Sequence, residues 1–202
     1  MLLERQGSKP WRSFCVFLLG VAIAFCARYI FTHTFYIPSS SMEPTVSEGQ
    51  RVWISPSAKQ YKRGDIIVFK SSVDFDNGGT PSRSSSNAFL QWLGFEKRNN
   101  QYLKRIIGVG GDKISCDAIG KQMTLNGQVV SEPYLEPSKE LCQSVFHVEV
   151  PSDHYWVEGD NRDHSSDSRS HLGSPGGGFI DQDDVIGQAQ RIIFPLSQQK
   201  KL

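Results

Sequence analysis

The 202-residue chain has no excess of charge of either sign, with 22 Lys and Arg against 21 Asp and Glu and a formal net charge of +1. That balance offers nothing to a polyanion, because nucleic-acid binding is ordinarily carried by a basic excess gathered on one face. His-Glu-x-x-His, a Walker loop and Gly-x-Gly-x-x-Gly are all missing, so no metal, nucleotide or other cofactor is implied. Cysteine is sparse, four residues without a Cys-x-x-Cys spacing, which removes the common zinc and redox motifs. Beyond residue 31 no long stretch repeats apolar residues at the helical period, so the remainder reads as strands. The length suits one good core plus an anchor, not two large domains.

What is present begins with an apolar run. Residues 1–12 carry Arg5, Lys9 and Arg12 against Glu4, Ser13 to Ala27 holds no charge, and past Arg28 the apolar character continues to Phe31. A helix needs about 20 such residues to cross a bilayer. The run over 13–31 suffices if Arg28 snorkels to the far interface, where Tyr29, Phe31, Phe35 and Tyr36 form an aromatic belt. The basic side stays cytoplasmic and everything after residue 31 lies outside. A cleavable signal peptide is the competing reading, since Ala24-Phe25-Cys26 places small residues two apart; Arg28 close behind is an unfavourable setting, and bulky Phe25 before Cys26 speaks against a lipoprotein. Cys15 and Cys26 lie in the run, where small, weakly polar side chains are at home. Cys116 and Cys142 lie in the soluble part and can bridge in an oxidising compartment if the fold brings their Cα atoms within reach.

The β signals start at Gly49. Arg51 to Ile54, Asp65 to Phe69, Tyr102 to Val109, Lys113 to Cys116, Val145 to Val150, His154 to Val157 and Val185 to Phe194 are β-branched or aromatic runs, and Asn126-Gly127 is a strong two-residue hairpin turn between Met123-Thr124-Leu125 and Gln128-Val129-Val130. The expected organisation is all-β: a cytoplasmic N-terminus over 1–12, one transmembrane helix over 13–31, and a multi-stranded antiparallel domain over 32–202 with a mobile insertion near 71–100 and a small β lobe near 113–152. Ser71 to Asn87 reads as a surface loop. Ala88 to Phe95, followed by Glu96-Lys97-Arg98, suits either a segment dipping into the lipid interface or a flap packed on its own domain.

Three stretches carry chemistry. In Pro38-Ser39-Ser40-Ser41-Met42-Glu43-Pro44-Thr45 the prolines fix φ at two points, push Ile37 and Glu43 into extended conformations and restrain the serines between them, although a plain polar linker has the same composition. In Tyr102-Leu103-Lys104-Arg105-Ile106-Ile107 a lysine sits in a β-like apolar run that draws it toward a core, with strand alternation placing only some of these neighbours on its face. The third, Gly159-Asp160-Asn161-Arg162-Asp163-His164-Ser165-Ser166-Asp167-Ser168-Arg169, reads alone as a hydrated turn; a calcium loop is disfavoured because Arg162 falls where a ligand belongs.

Together the three stretches resemble the bacterial and organellar type I signal peptidases, membrane-anchored serine proteases, over roughly residues 36–70, 102–114 and 153–194. The resemblance implies that Ser41 is the nucleophile and Lys104 the general base, that the Ser39 hydroxyl and the Ser41 N–H form the oxyanion hole, that Ser165 orients the lysine, and that Asp167 and Arg169 are a supporting pair. Ser40 departs from the glycine of many relatives. A serine hydroxyl needs such a base, and a lysine can serve only when neutral: at an unperturbed pKa near 10.4 about one in a few thousand is neutral at pH 7, and bringing the value to about 8 takes roughly 3 kcal/mol of differential desolvation. His164, one of five histidines with His33, His147, His154 and His171, offers an alternative base in a Ser-His-Asp arrangement.

The implied substrates are preproteins emerging from the translocation machinery at the outer face of the bacterial inner membrane, cut after a small-x-small sequence. The seven or so residues between anchor and Ser41 span at most about 25 Å, so the site works close to the lipid bilayer. The competing readings are a pilin-maturing peptidase of a conjugation system, a self-cleaving repressor, which would need a DNA-binding module in place of the anchor, and a non-enzymatic membrane-tethered β adaptor.

Overall fold

The structure is a computed structural model that describes residues 10–56, 60–73, 75, 100–136 and 142–202. These fall into two units, an N-terminal helix and a β unit beginning at Thr34.

Helix α1 spans Pro10–Thr32, 23 residues. It overruns the expected 13–31 at both ends: proline suits a first helical turn, and at the other end the Thr32 hydroxyl donates to the Arg28 carbonyl at 3.0 Å, extending the helix by a residue. At 1.5 Å per residue its length is about 35 Å, enough for a hydrocarbon layer of about 30 Å. Trp11, Phe14, Phe17, Leu19, Ile23 and Phe25 are each more than half exposed. A helix apolar on all sides, rather than along one stripe, is matched by lipid.

The β unit holds twelve strands among the described residues: β1 Thr34–Tyr36, β2 Arg51–Ser55, β3 Ile66–Lys70, β4 Gln101–Val109, β5 Lys113–Cys116, β6 Thr124–Leu125, β7 Gln128–Val129, β8 Phe146–Glu149, β9 His154–Glu158, β10 Ile180–Asp181, β11 Val185–Phe194 and β12 Lys200–Lys201. They form an antiparallel sheet ordered β1-β2-β11-β3-β4-β9-β10, with β12 on β11, and a second ordered β7-β6-β5-β8. The described β fold is thus the expected antiparallel one. The short strands β1, β10 and β12 were not readable in the sequence.

Strand β4 sits between β3 and β9, and Leu103 to Gly108 are all buried. Both faces of the strand are therefore covered, and the lysine that the apolar run was expected to draw toward a core lies within it. One core gathers Ile37, Met42 and Val46 with Val52, Leu103 and Ile192, and so anchors the serine loop. A second holds Ile67, Phe69, Phe75, Ile106 and Val157. Phe75, expected in a mobile surface loop, is 1% exposed and packs edge-on against Phe69 with ring centroids 5.3 Å apart, so the start of that insertion belongs to the core. Nearly all of its remainder, including 88–98, lies outside the described residues.

The third core joins the second sheet to β9 through Ile114, Phe146 and Trp156. Asn126 and Gly127 both take positive φ, 52° and 80°, as a tight hairpin turn requires. Cys116 and Cys142 are bridged, with Cα atoms 5.7 Å apart. Because β6 and β7 are two residues each, this lobe has little pairing of its own, and the bridge limits the freedom of its unfolded form. Replacing both cysteines by serine should lower stability by about 3 kcal/mol, read as a shift of the denaturant midpoint between oxidised wild type and the double variant, both full-length in detergent; equal midpoints would show that the bridge contributes nothing.

Candidate active site

The serine loop is held from both ends and from behind. Ile37 N–H donates to Gln50 O and Gly49 N–H to Ile37 O, both at 2.9 Å, while a turn closes from Glu43 N–H to Ser40 O at 3.1 Å. Met42, 1% exposed, buries the loop in the first core. Asn161 supplies the support from behind: its N–H donates to Ser41 O at 3.0 Å and its side-chain amide to Ser40 O at 3.2 Å.

On β4, Lys104 lies opposite Ile67 of β3. Its amine donates to Ser41 Oγ at 2.8 Å, across 63 residues of sequence. Lys104 is 1% exposed and Ser41 5%. Ser39 Oγ lies 3.3 Å from Ser41 Oγ, and among the described residues the Ser41 N–H has no acceptor.

The third stretch forms two short 3₁₀ turns, Arg162–His164 and Ser168–His171, directly after β9. Asp167, fully buried, accepts from Arg169 Nε at 2.8 Å and Nη2 at 2.7 Å, and from the Gly159 N–H at 3.1 Å. Burial alone would raise the Asp167 carboxyl, but the Arg169 guanidinium and the Gly159 N–H overrule it and hold the pKa below the usual range. Ser165 is buried, yet its Oγ has no hydrogen-bond partner among the described residues, so the expected bond from Lys104 is not made. His164 is exposed and lines an open cleft beside Glu43 and Asn161; the partners of Ser41 Oγ are Lys104 and Ser39, not a histidine.

Sequence reasoning missed three residues that make this arrangement possible. Arg105 forms a two-pronged pair with Asp160, Nε to Oδ1 at 2.8 Å and Nη2 to Oδ2 at 2.6 Å, donates to Gly64 O at 2.8 Å and reaches Thr45 Oγ1 at 3.4 Å, tying serine loop, lysine strand and third stretch together. Asn161 props the loop as described. At Gly159 an added Cβ would lie 2.5 Å from Ser41 O and 2.2 Å from Ser165 Oγ. Asp160 and Gly159 were quoted in the sequence motif, but nothing local marks them as neighbours of residue 41. Among the described residues no three His, Cys, Asp or Glu side chains gather as metal ligands.

A buried serine on a buried lysine amine, in an antiparallel β unit, is the equipment of a hydrolase. The family model described as signal peptidase, peptidase S26, matches residues 10–194, and the chain belongs to that family of peptidases. It is 32% identical over 213 residues to a signal peptidase I of Mycobacterium tuberculosis, covering 91% of this chain and 70% of the relative. Signal peptidase I U of Bacillus subtilis is 30% identical over 194 residues, covering 91% of this chain and 87% of that one. A crystal structure of a signal peptidase I from Enterococcus faecalis V583 aligns with a TM-score of 0.42 at 26% identity, over 65% of this chain and 98% of that one.

Two outcomes test the packing of the site. Gly159→Ala should cut cleavage by about 10²-fold, the scale of an ångström displacement of a reacting group, while the far-ultraviolet spectrum stays that of a folded β protein; full activity would show that Ser41 tolerates the shift. Because the folded pKa of Asp167 is lowered, its contribution to stability is complete above the unfolded value of about 3.9 and is lost as pH falls through the folded value. Asp167→Asn should therefore cost about 3–5 kcal/mol at neutral pH, and the gap to wild type in urea midpoints should close below about pH 4. A gap independent of pH would remove the carboxylate's role.

Proposed function

We propose that this peptidase removes N-terminal signal peptides from exported preproteins, with Ser41 as nucleophile and Lys104 as general base. The observation that carries the reading is the 2.8 Å hydrogen bond between two buried side chains, Lys104 Nζ and Ser41 Oγ. Its chemical course follows from their protonation. Neutral Lys104 takes the Ser41 proton as Oγ attacks the scissile carbonyl, and the oxyanion is met by the unengaged Ser41 N–H and the Ser39 hydroxyl. The Lys104 ammonium then passes its proton to the leaving amine, which departs as the new N-terminus. In the second half a water gives one proton to Lys104 as its oxygen adds to the ester carbonyl, Lys104 returns that proton to the departing Ser41 Oγ, and the signal peptide leaves as a carboxylic acid that ionises in solvent, restoring Ser41 and neutral Lys104.

The anchor agrees with this substrate. We read α1 as a membrane span with Arg5, Lys9 and Arg12 on the cytoplasmic side, which puts Ser41 on the outer side, where a preprotein still tethered by its own apolar segment is held at high effective concentration.

Cleavage of a synthetic preprotein in detergent by Ser41→Ala and by Lys104→Ala should fall by at least about 10³-fold with the fold intact, and substantial residual cleavage by either would overturn the assignment. With wild type, kcat/KM should rise with pH along a limb lying above the value near 6.5 that a histidine base gives; a limb at 6.5 would point to His164 instead.

A further inference from the structure

The lobe closed by the Cys116–Cys142 bridge contains one turn that the reaction just described does not use. Glu132-Pro133-Tyr134-Leu135 is closed by the Leu135 N–H donating to Glu132 O at 2.9 Å. Proline at the second place of such a turn pre-sets its φ, and buried Leu135 holds it down. The turn projects two side chains onto the two arginines that brace the Gly159–Arg162 segment.

The Tyr134 ring lies over the Arg105 guanidinium, 3.9 Å from ring centroid to Cζ. A guanidinium stacked on a ring is shielded from water on that side, which strengthens the pairing it makes in its own plane, and here that pairing is with Asp160. The Tyr134 hydroxyl donates to Glu132 Oε1 at 2.6 Å. Glu132, 2% exposed, accepts from both terminal nitrogens of Arg162, Nη1 at 3.0 Å and Nη2 more closely still, and Arg162 Nε donates to Gly159 O at 3.1 Å. Burial and the neighbouring Glu132 carboxylate both push the Tyr134 phenol upward, so it remains a donor throughout the working range. For Arg162 burial acts the other way, but Glu158 and Glu132 more than reverse it and keep the guanidinium charged.

We propose that Glu132 and Tyr134 are positioning residues for the peptidase reaction, a strap that grips Arg162 and Arg105 and so fixes the Gly159–Asn161 segment on which the Ser41 carbonyl hangs. The inference rests on the Ser41–Lys104 reading. Neither side chain is assigned a contact with Ser41 or Lys104; both act through the arginines, at two points on either side of the Asn161 N–H that holds Ser41 O. A device of this kind sets the aim of the nucleophile rather than the affinity for an extended peptide.

The test uses full-length protein in detergent with a synthetic preprotein. Tyr134→Leu should lower kcat by about 10- to 100-fold with KM within about twofold, and Tyr134→Phe, which keeps the ring over Arg105, should recover most of the loss. Glu132→Gln should also lower kcat, by about tenfold, with KM unmoved. Should Tyr134→Leu fold poorly, a cycle with Arg105→Lys decides: Tyr134→Met, which removes the ring but keeps an apolar side chain of similar length, is made in both backgrounds, and a strap acting through Arg105 predicts that Tyr134→Met costs less once Arg105 is changed. Unchanged kcat in Tyr134→Leu, a loss expressed in KM, or the same cost in both backgrounds would overturn the proposal. Ser41→Ala run in parallel separates the two claims, because an active Ser41→Ala sinks the dyad whatever the strap does, whereas an inactive Ser41→Ala beside a fully active Tyr134→Leu sinks only the strap.

Discussion

The proposed reaction depends on keeping one lysine amine out of water. Lys104 meets Ser41 Oγ at 2.8 Å with 1% of its surface exposed, and in the proposed reaction an amine in that position acts only while uncharged. The fold keeps it from solvent by placing the lysine in the middle of the larger sheet, on a strand flanked by β3 and β9 and covered on both faces. A lysine on an edge strand would keep its hydration shell. The sheet order is in this sense part of the proposed chemistry, since burial in an apolar setting disfavours a charged side chain.

Around this neutral pair the chain arranges charge in pairs: Arg105 with Asp160, Arg162 with Glu132 and Glu158, Arg169 with Asp167. Buried ion pairs contribute little net stability, because desolvation offsets most of the attraction, but breaking one partner is costly. Their value here is geometric. Arg105 touches the serine loop at Thr45, its own strand, the turn at Gly64 and the motif at Asp160, so four segments distant in sequence acquire one relative placement. An apolar side chain of similar volume would fill the space without choosing among nearby registers.

The antiparallel β class, the apolar helix and the three stretches that meet around Ser41 were legible, because each is written locally, in strand composition, in an uninterrupted apolar run and in short motifs. The bridge between Cys116 and Cys142 was legible only as an option, since its distance is a property of the folded lobe. Phe75 was misread because its polar neighbours set the tone of the segment while its single ring decided the packing. Asn161, Gly159 and Arg105 escaped for a different reason. Their roles consist of contacts 120, 118 and 55 residues away, with Ser41 from Asn161 and Gly159 and with Asp160 from Arg105, and no local pattern distinguishes a glycine required by a distant carbonyl from one required by a turn. The expected Lys104–Ser165 bond illustrates the converse: a motif transmits which residues meet, but not the rotamer in which a hydroxyl finally rests, and Ser165 here lies against Gly159 and beside Asp167.

The smaller sheet shows how the supporting structure is itself supported. Two of its strands are two residues long, and Val129 on one of them is 58% exposed, so pairing alone cannot hold it. It is held at β5 and β8 by packing against Trp156 and by the bridge from Cys116 to Cys142. Glu132 and Tyr134 lie inside the loop which that bridge closes, and through them the lobe reaches Arg162 and Arg105. The order of the peptidase site is thereby linked to a covalent bond that persists only where thiols are oxidised. This agrees with the outward placement proposed for the β unit, because a lobe that relies on a disulfide is fully formed on an oxidising side of the membrane, the side on which the proposed substrate would be met.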